Sequence, residues 1–507
     1  MNTKQNEPLK LNYISDKIKD DHLIKWKKGN TILLTAQTGT GKTTFIINDL
    51  IDSMKENEYI LYICNRIELR LQVYKDLMEK YSVDSIEELP KNIHVTSYQS
   101  IGEKLIHKEP FNYDTYYKYI VLDECHYFLS DYFTGKTILT FNKFIFEEYH
   151  KSIRIFISAT MDDLKQLIKD KSKHSCYEYD TGTDYSYLNV KYFKKESDII
   201  QLIKNDDSED QWIVFVTSIV LGERINKKLL DGNVSCVFIN SKNRERPISN
   251  GEYKEKVLVA TKKIDNGISI TSDNVKNVVV YSYDKTTFLQ EIGRLRVDIK
   301  NPRQINLFIP MLDSRSFYTL INTSYKKKQE QLDLYNNDYE EFKRLYKYDT
   351  DKIYKDLFYY DDVNNKWIIN TIGMSQHAKH YTFAHNMIQT FMLYKEYAFV
   401  YEQLEWLGMK GSFRTGNIIK DVIDIEEVNS LDSYLNSING VKLYKEEQKE
   451  LKEVFNKYGL KARSLGINTL NGYIKDNKLD YVINNKKESY RERGKVKSKR
   501  YWIINKI

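Results

Sequence analysis

Short apolar runs rich in β-branched residues alternate with stretches of helical periodicity along the first part of the chain. Thr31–Thr35, Tyr59–Ile63, Ile93–Val95, Tyr117–Leu122, Ile153–Ile157 and Trp212–Val216 are apolar at nearly every position, the pattern of strands covered on both faces. Thr44–Ile51, Ile67–Lys80 and Leu221–Leu230 show a 3.6-residue repeat instead, and predict helices. Strand–helix alternation of this kind predicts two parallel α/β sheets. A polar segment within Cys176–Tyr187 marks the boundary between them. After Asp313 the rhythm ends, and residues 314–440, rich in Tyr, Lys, Glu and Leu, predict mostly helix with few turn signals.

A chain of 507 residues exceeds what one core organises and implies about three domains. Its 41% hydrophobic and 29% charged residues are ordinary for a globular protein. No apolar run approaches the roughly 18 residues needed to span a bilayer. The start, Met1–Glu7, is polar and lacks the apolar centre of a signal peptide. Cys64, Cys125, Cys176 and Cys236 are scattered without a CxxC pair, so neither a zinc ribbon nor a disulfide framework is implied and a reducing cytoplasm is expected. The net charge of +7 is unevenly placed: Val441–Ile507 holds 18 Lys and Arg against 8 Asp and Glu. That excess predicts an anionic partner, above all nucleic acid.

The candidate chemistry begins after the first strand. Ala36-Gln37-Thr38-Gly39-Thr40-Gly41-Lys42-Thr43-Thr44 stands between a strand and a helix, the setting of a phosphate-binding loop. Its glycines let backbone amides converge on phosphate oxygens, with the helix N-terminus adding partial positive charge. Lys42 is expected to reach the β- and γ-phosphates of ATP, and the Thr43 hydroxyl to bind Mg²⁺. Such a loop needs acids on a neighbouring strand, and Tyr117–Leu122 runs into Asp123-Glu124-Cys125-His126. Asp123 is expected to hold Mg²⁺ and Glu124 to act as general base on the attacking water. Ile153–Ile157 ends in Ser158-Ala159-Thr160, whose hydroxyls, with His126, could couple the nucleotide to a second site.

Ala36–Thr43, Asp123–His126 and Ser158–Thr160 resemble motifs I, II and III of superfamily 2 helicases of the DExH branch, in which alanine opens the loop. Val257–Thr261 with Asp265–Ile270 resembles motif V, bringing Asp265 and Gly267 towards the nucleotide. Gln290-Glu291-Ile292-Gly293-Arg294-Leu295-Arg296 resembles motif VI. The resemblance implies two RecA-like domains closing on ATP, with Gln290 near the γ-phosphate and Arg294 as an arginine finger, Arg296 beside it. Two positions depart from the family pattern. Val297 stands where a second arginine is usual, and Ser269 where motif V usually has aspartate. The resemblance further implies a nucleic-acid track over strand ends: Asn65 and Arg66 (motif Ia), Thr96, Ser97 and Gln99 (motif Ib), Thr217 and Ser218 (motif IV), and Thr261. The organisation is similar to that of phage and mobile-element DNA helicases, and DNA is expected rather than RNA because no Q-motif precedes Thr31.

At the far end, Lys445–Tyr458 predicts a helix closed by Gly459, and a second begins near Asn468 after Ala462–Gly466. Strand-like Tyr481–Ile483 and Tyr501–Ile504 flank a basic loop, Arg491–Arg500, containing Arg493, Lys495, Lys497, Lys499 and Arg500. Helices followed by a hairpin with a basic tip resemble a winged helix, with Asn468 and these cations as nucleic-acid contacts. The expected organisation is a RecA-like domain over 1–180, a second over 181–312, a helical region over 313–440 and a winged-helix-like module over 441–507. The activity expected is that of an ATP-dependent DNA helicase or translocase. A translocase subunit that does not unwind, and a nucleotide-gated binder without turnover, stay open as alternatives.

Overall fold

The computed structural model describes the chain apart from residues 1–7, 66, 108–115, 131–134, 147–150, 173, 241–247, 250, 262–268, 362–363, 420–424, 463 and 493–494. It divides into two compact units, residues 1–195 with 206–419, and residues 196–205 with 420–507.

The larger unit is built on two parallel six-stranded sheets. The first uses β1 (Thr31–Thr35), β2 (Ile60–Cys64), β3 (Ile93–Ser97), β4 (Tyr119–Leu122), β5 (Ile153–Ser158) and β6 (Cys176–Asp180), in the order β3-β2-β4-β5-β1-β6. The period of two explains why these strands read as continuously apolar. Ile32, Leu34, Ile60, Tyr62 and Val121 face one core with Phe45, Ile46 and Leu50 of the following helix. Leu33, Leu61, Ile63, Ile120 and Phe156 face a second core with Tyr98, Phe128 and Phe144. The four inner strands therefore fill two cores, while the edge strand β6 exposes Glu178 and Asp180.

The second sheet uses β7 (Leu188–Phe193), β8 (Gln211–Phe215), β9 (Cys236–Ile239), β10 (Val257–Ala260), β11 (Val275–Val280) and β12 (Ile305–Pro310), in the order β7-β12-β11-β8-β10-β9. Every pairing in both sheets is parallel, so all loops at strand carboxyl ends lie on one edge of each sheet. These are the tandem RecA-like domains.

Helices Ser314–Leu320, Thr371–Tyr394 and Ala398–Trp406 pack Phe317, Ala384, Met387, Phe399 and Leu404 into the core of the second sheet. Thr371–Tyr394 reaches both domains, since Ile372 at its start belongs to a core of the first sheet. The predicted run of helix over 314–440 is broken by an antiparallel hairpin, β13 (Phe358–Asp361) with β14 (Lys366–Ile369). Its turn contains Asn365 in the left-handed region, φ 52°, which asparagine tolerates better than most residues. The Asn364-Asn365 pair between aromatic runs was the signal for it.

In the smaller unit, helix Ile425–Ser437, β15 (Lys442–Leu443), helix Lys445–Lys457, helix Ile467–Asp476, β16 (Tyr481–Glu492) and β17 (Lys495–Lys506) follow in turn, with sheet order β15-β17-β16. Leu451, Phe455, Leu470, Ile474, Ile483 and Ile504 form its core. The segment Arg491–Arg500, expected as a loop, is mostly strand. Antiparallel pairing continues without a break to Glu492 opposite Lys495, so the hairpin is far longer than its apolar residues alone indicate.

Candidate functional site

The loop after β1 is shaped by two glycines with left-handed backbone, Gly39 at φ 91° and Gly41 at φ 78°. Only glycine adopts these values without steric cost, and the resulting turn points the chain into the helical turn Lys42–Thr44, which continues as a π-helical segment, Phe45–Leu50. Gln37, Thr38, Gly39, Gly41, Lys42, Thr43 and Thr44 line a cavity of about 300 Å³. Thr40 does not. It is fully buried, and its hydroxyl donates to the Gln37 carbonyl at 2.7 Å, closing the loop on itself. The Gln37 amide is likewise engaged, donating to the Asp184 carbonyl and accepting from the Asp184 N–H, each at 2.9 Å. Both side chains fix the loop whose backbone amides face the cavity.

Asp123 and Glu124 follow β4 and face Lys42. Lys42 Nζ lies 2.6 Å from Glu124 Oε1, and His126 Nδ1 lies 3.2 Å from Glu124 Oε2. Glu124 itself has φ 48°, an uncommon conformation for a side chain other than Gly, Asn or Asp and one that aims its carboxylate across the cavity. Withdrawal from water pushes the Glu124 carboxyl up, but the Lys42 charge with hydrogen bonds from His126 and Lys42 outweighs this and holds it well below the usual range. Asp123 moves the other way, raised by burial and by the neighbouring Glu124 charge. Tyr62 donates to Asp123 Oδ2 at 2.6 Å, and Tyr98 to the Asp123 carbonyl at 2.9 Å. These tyrosines position the acid and were not legible in the sequence, because each reads as an ordinary core aromatic. His126 Nδ1 also lies 3.1 Å from Ser158 Oγ, which accepts from the Thr160 N–H at 3.0 Å. The hydroxyls after β5 are thus chained through His126 to Glu124.

The opposite wall comes from the second sheet. Helix Lys285–Gly293 brings Gln290 to the cavity, and Arg294, Arg296 and Val297 follow. The walls touch: a Cβ on Gly293 would lie 2.8 Å from Thr38 Oγ1, and one on Gly39 would lie 3.2 Å from the Val297 carbonyl. The Gln290 Nε2 is buried and donates to no described residue. Arg296 Nε donates to Ser269 Oγ at 2.9 Å, and Ile270 pairs with Leu295 through a short parallel bridge. One of the two departures from the expected motifs is engaged here, since the Ser269 hydroxyl holds Arg296. Lys285, on the same helix, pairs with Asp162 of the first domain at 2.8 Å.

Helix Lys285–Gly293 is capped by Asp284, whose carboxylate accepts from the Thr287 N–H at 2.7 Å and lies 3.6 Å from His380 Nε2. Burial raises the Asp284 carboxyl, yet the hydrogen bonds from His380 and Thr287 overcome this and hold it far below its ordinary value. A carboxylate with a depressed native pKa stabilises the fold above its unfolded value of about 4, and that contribution is lost as pH falls below it. Asp284→Ala is expected to cost about 1 kcal/mol at neutral pH, the usual worth of a cap. Urea unfolding should show the gap between variant and wild type shrinking below about pH 4. An equal gap at both pH values would contradict the assignment.

The residues expected on a nucleic-acid track are distributed less simply. Asn65 is buried, lines the nucleotide cavity and accepts from Gln99 Nε2 at 3.1 Å, so it belongs to the cleft rather than to an open surface. Ser97 caps helix Tyr98–Ile106 by accepting from the Ser100 N–H, and Ser218 caps Ile219–Asp231 by accepting from the Leu221 N–H. Thr96, Thr217 and Thr261 stand at the ends of β3, β8 and β10, with Thr217 exposed. Arg66, Asp265, Gly267 and Arg493 lie outside the described residues. Asn468, Lys499 and Arg500 are exposed in the smaller unit, while Lys495 and Lys497 are placed only by the register of β17. Among the described residues no helix is long and apolar enough to cross a membrane.

A phosphate loop facing paired acids, with arginines arriving from a second parallel sheet, defines a P-loop nucleotide hydrolase of tandem RecA-like domains. Residues 5–163 match the family "Type III restriction enzyme, res subunit", and residues 194–297 match "Helicase conserved C-terminal domain"; together they span just over half the chain. The chain belongs to helicase superfamily 2, whose ATPase core these two segments make up. Among solved structures it is similar to S. cerevisiae Dbp5 bound to RNA and ADP BeF3, at 20% identity over 58% of this chain and 82% of that one, with a TM-score of 0.43. It is also similar to the Escherichia coli DEAH/RHA helicase HrpB, at 14% identity over 56% of this chain and 41% of that one, with a TM-score of 0.37. No curated protein sequence matches.

Proposed function

We propose that the protein is an ATP-driven translocase on nucleic acid that acts on DNA and separates its strands, residues 1–180 and 181–312 serving as the two halves of the motor. One observation carries this reading: Lys42, Asp123 and Glu124 of one domain line a single cavity with Gln290, Arg294 and Arg296 of the other. A catalyst divided in this way is complete only when the domains close, which ties hydrolysis to domain movement.

The cavity suits a nucleoside triphosphate. It offers the amides of a left-handed glycine loop, a buried donor at Gln290 Nε2 with no described acceptor, and cations on both walls. Thr43 and Asp123 would hold Mg²⁺, which neutralises phosphate charge during transfer. Lys42 now rests on Glu124, so nucleotide entry moves this amine to the phosphates and frees the carboxylate to accept a proton from water. Arg294 meets the charge that develops on the γ-phosphoryl group. The chain Glu124–His126–Ser158–Thr160 then carries the state of the general base to the end of β5.

ATP hydrolysis measured alone, with single-stranded DNA, with forked DNA and with RNA tests the reading. Stimulation by DNA, together with displacement of a labelled strand from the fork, is the expected result. Turnover indifferent to every polymer would refute it, and stimulation by RNA alone would move the substrate to RNA.

A further inference from the structure

The hairpin of the smaller unit sets two exposed cations directly opposite one another, a pair that nucleotide chemistry does not use. In β16 and β17, directly opposed residues share a face of the hairpin. Ile483 opposes Ile504 on the face that carries the core, where Asn471 of helix Ile467–Asp476 bonds the Ile483 backbone from both sides, at 2.8 and 3.0 Å. Continuing outward on this face, Asn485 opposes Trp502 and Lys487 opposes Arg500. Lys487 and Arg500 are both exposed, and neither forms an ion pair with any described residue. Like charges set directly opposite one another destabilise a hairpin, and an anion between them removes that cost.

The other face is occupied differently. Glu488 is bonded by Lys442 and by the Tyr444 hydroxyl, and Lys499 Nζ lies 3.8 Å from the centre of the Tyr444 ring. Lys499, expected from the sequence to contact nucleic acid, is thus tied into a local cluster. Helix Ile467–Asp476 exposes Asn468, Lys475 and, at its last residue, Asp476 on its outer side, and Gly472 among them has open space where a Cβ would stand. A helix whose exposed stripe is short and polar can approach a groove closely.

We propose that this unit is a docking module for duplex DNA, with helix Ile467–Asp476 in the major groove and Lys487 with Arg500 on the flanking phosphates. The occupant is B-form DNA because its major groove, about 12 Å wide, admits a helix, whereas that of duplex RNA is deep and narrow. Helix, strand, helix, helix and hairpin in this order, with β17 central, is the arrangement of a winged helix. The inference deepens the choice of DNA above but does not depend on hydrolysis.

The test is fluorescence anisotropy of the full chain with a labelled duplex of about two turns, without nucleotide, across a salt series. Lys487→Ala/Arg500→Ala should weaken duplex DNA binding about tenfold at low salt and lower the log–log salt slope by about 2, one for each lost phosphate contact. Its unfolding midpoint should equal or exceed that of wild type, because the opposed charges are gone. Lys499→Ala should keep duplex affinity. Unchanged binding by the double variant, equal loss for Lys499→Ala, or equal binding of duplex RNA by the wild type would each overturn the proposal. ATP hydrolysis by the same preparations reports on the motor separately, so the two readings fail independently.

Discussion

Glu124→Gln is expected to abolish multiple-turnover ATP hydrolysis while leaving nucleotide binding intact or tighter. The substitution preserves shape and removes only the charge and the basic oxygen. Proton abstraction by a positioned side chain is typically worth ~10²–10⁴ in rate, and a fall in kcat of this size is predicted. The effect on binding has a separate cause. In this structure Lys42 is held by Glu124 at 2.6 Å, and the carboxylate competes with the phosphates for the amine. Glutamine competes less well, so the dissociation constant for ATP should stay level or fall. Single-turnover hydrolysis alongside equilibrium binding of a labelled nucleotide separates the two quantities. Turnover near wild type would remove Glu124 from the role of general base, and much weaker binding would show that it organises the pocket instead.

The second large effect concerns the opposite wall. Arg294→Ala is expected to lower kcat by ~10³ or more, the range seen when an arginine finger is lost from a phosphoryl-transfer site. Arg296→Ala should cost less, since the Arg296 guanidinium already spends its Nε on Ser269. Ground-state binding should change little in either variant, because such a residue acts chiefly on charge that develops during transfer. Steady-state kinetics of both variants, read as a split between kcat and KM, decide the matter. A larger loss for Arg296→Ala would exchange the two roles. It would also make the Ser269 hydroxyl the feature that compensates for valine at position 297.

Catalytic chemistry on the first domain was legible because it is local. A glycine loop between a strand and a helix, and two acids at a strand end, are set by contiguous residues, and the structure brings Lys42, Asp123 and Glu124 together. The strands legible in the sequence were mostly apolar runs, but the apolar Val278–Val280 and Leu307–Ile309 show that such a run alone does not mark a strand. Cys176–Asp180, with its alternating polar residues, forms an edge strand that pairs with β1 only, and no continuous apolar run marks it. The hairpin at Phe358–Ile369 lies within a region whose composition favours helix, and its one local mark is the Asn364-Asn365 turn.

The sequence by itself determined the two-sheet architecture, the phosphate loop and the acids, since each follows from short-range periodicity and from backbone that only certain residues adopt. Tertiary structure alone decided which side chains were free to act. The Thr40 hydroxyl and the Gln37 amide are engaged by the loop itself and by Asp184, and Asn65 turns into the cleft. Tyr62 and Tyr98 read as core but hold Asp123. Hydrogen bonds between residues distant in the chain depend on which strands become neighbours. That choice is made by packing of the whole domain, and no local pattern records it.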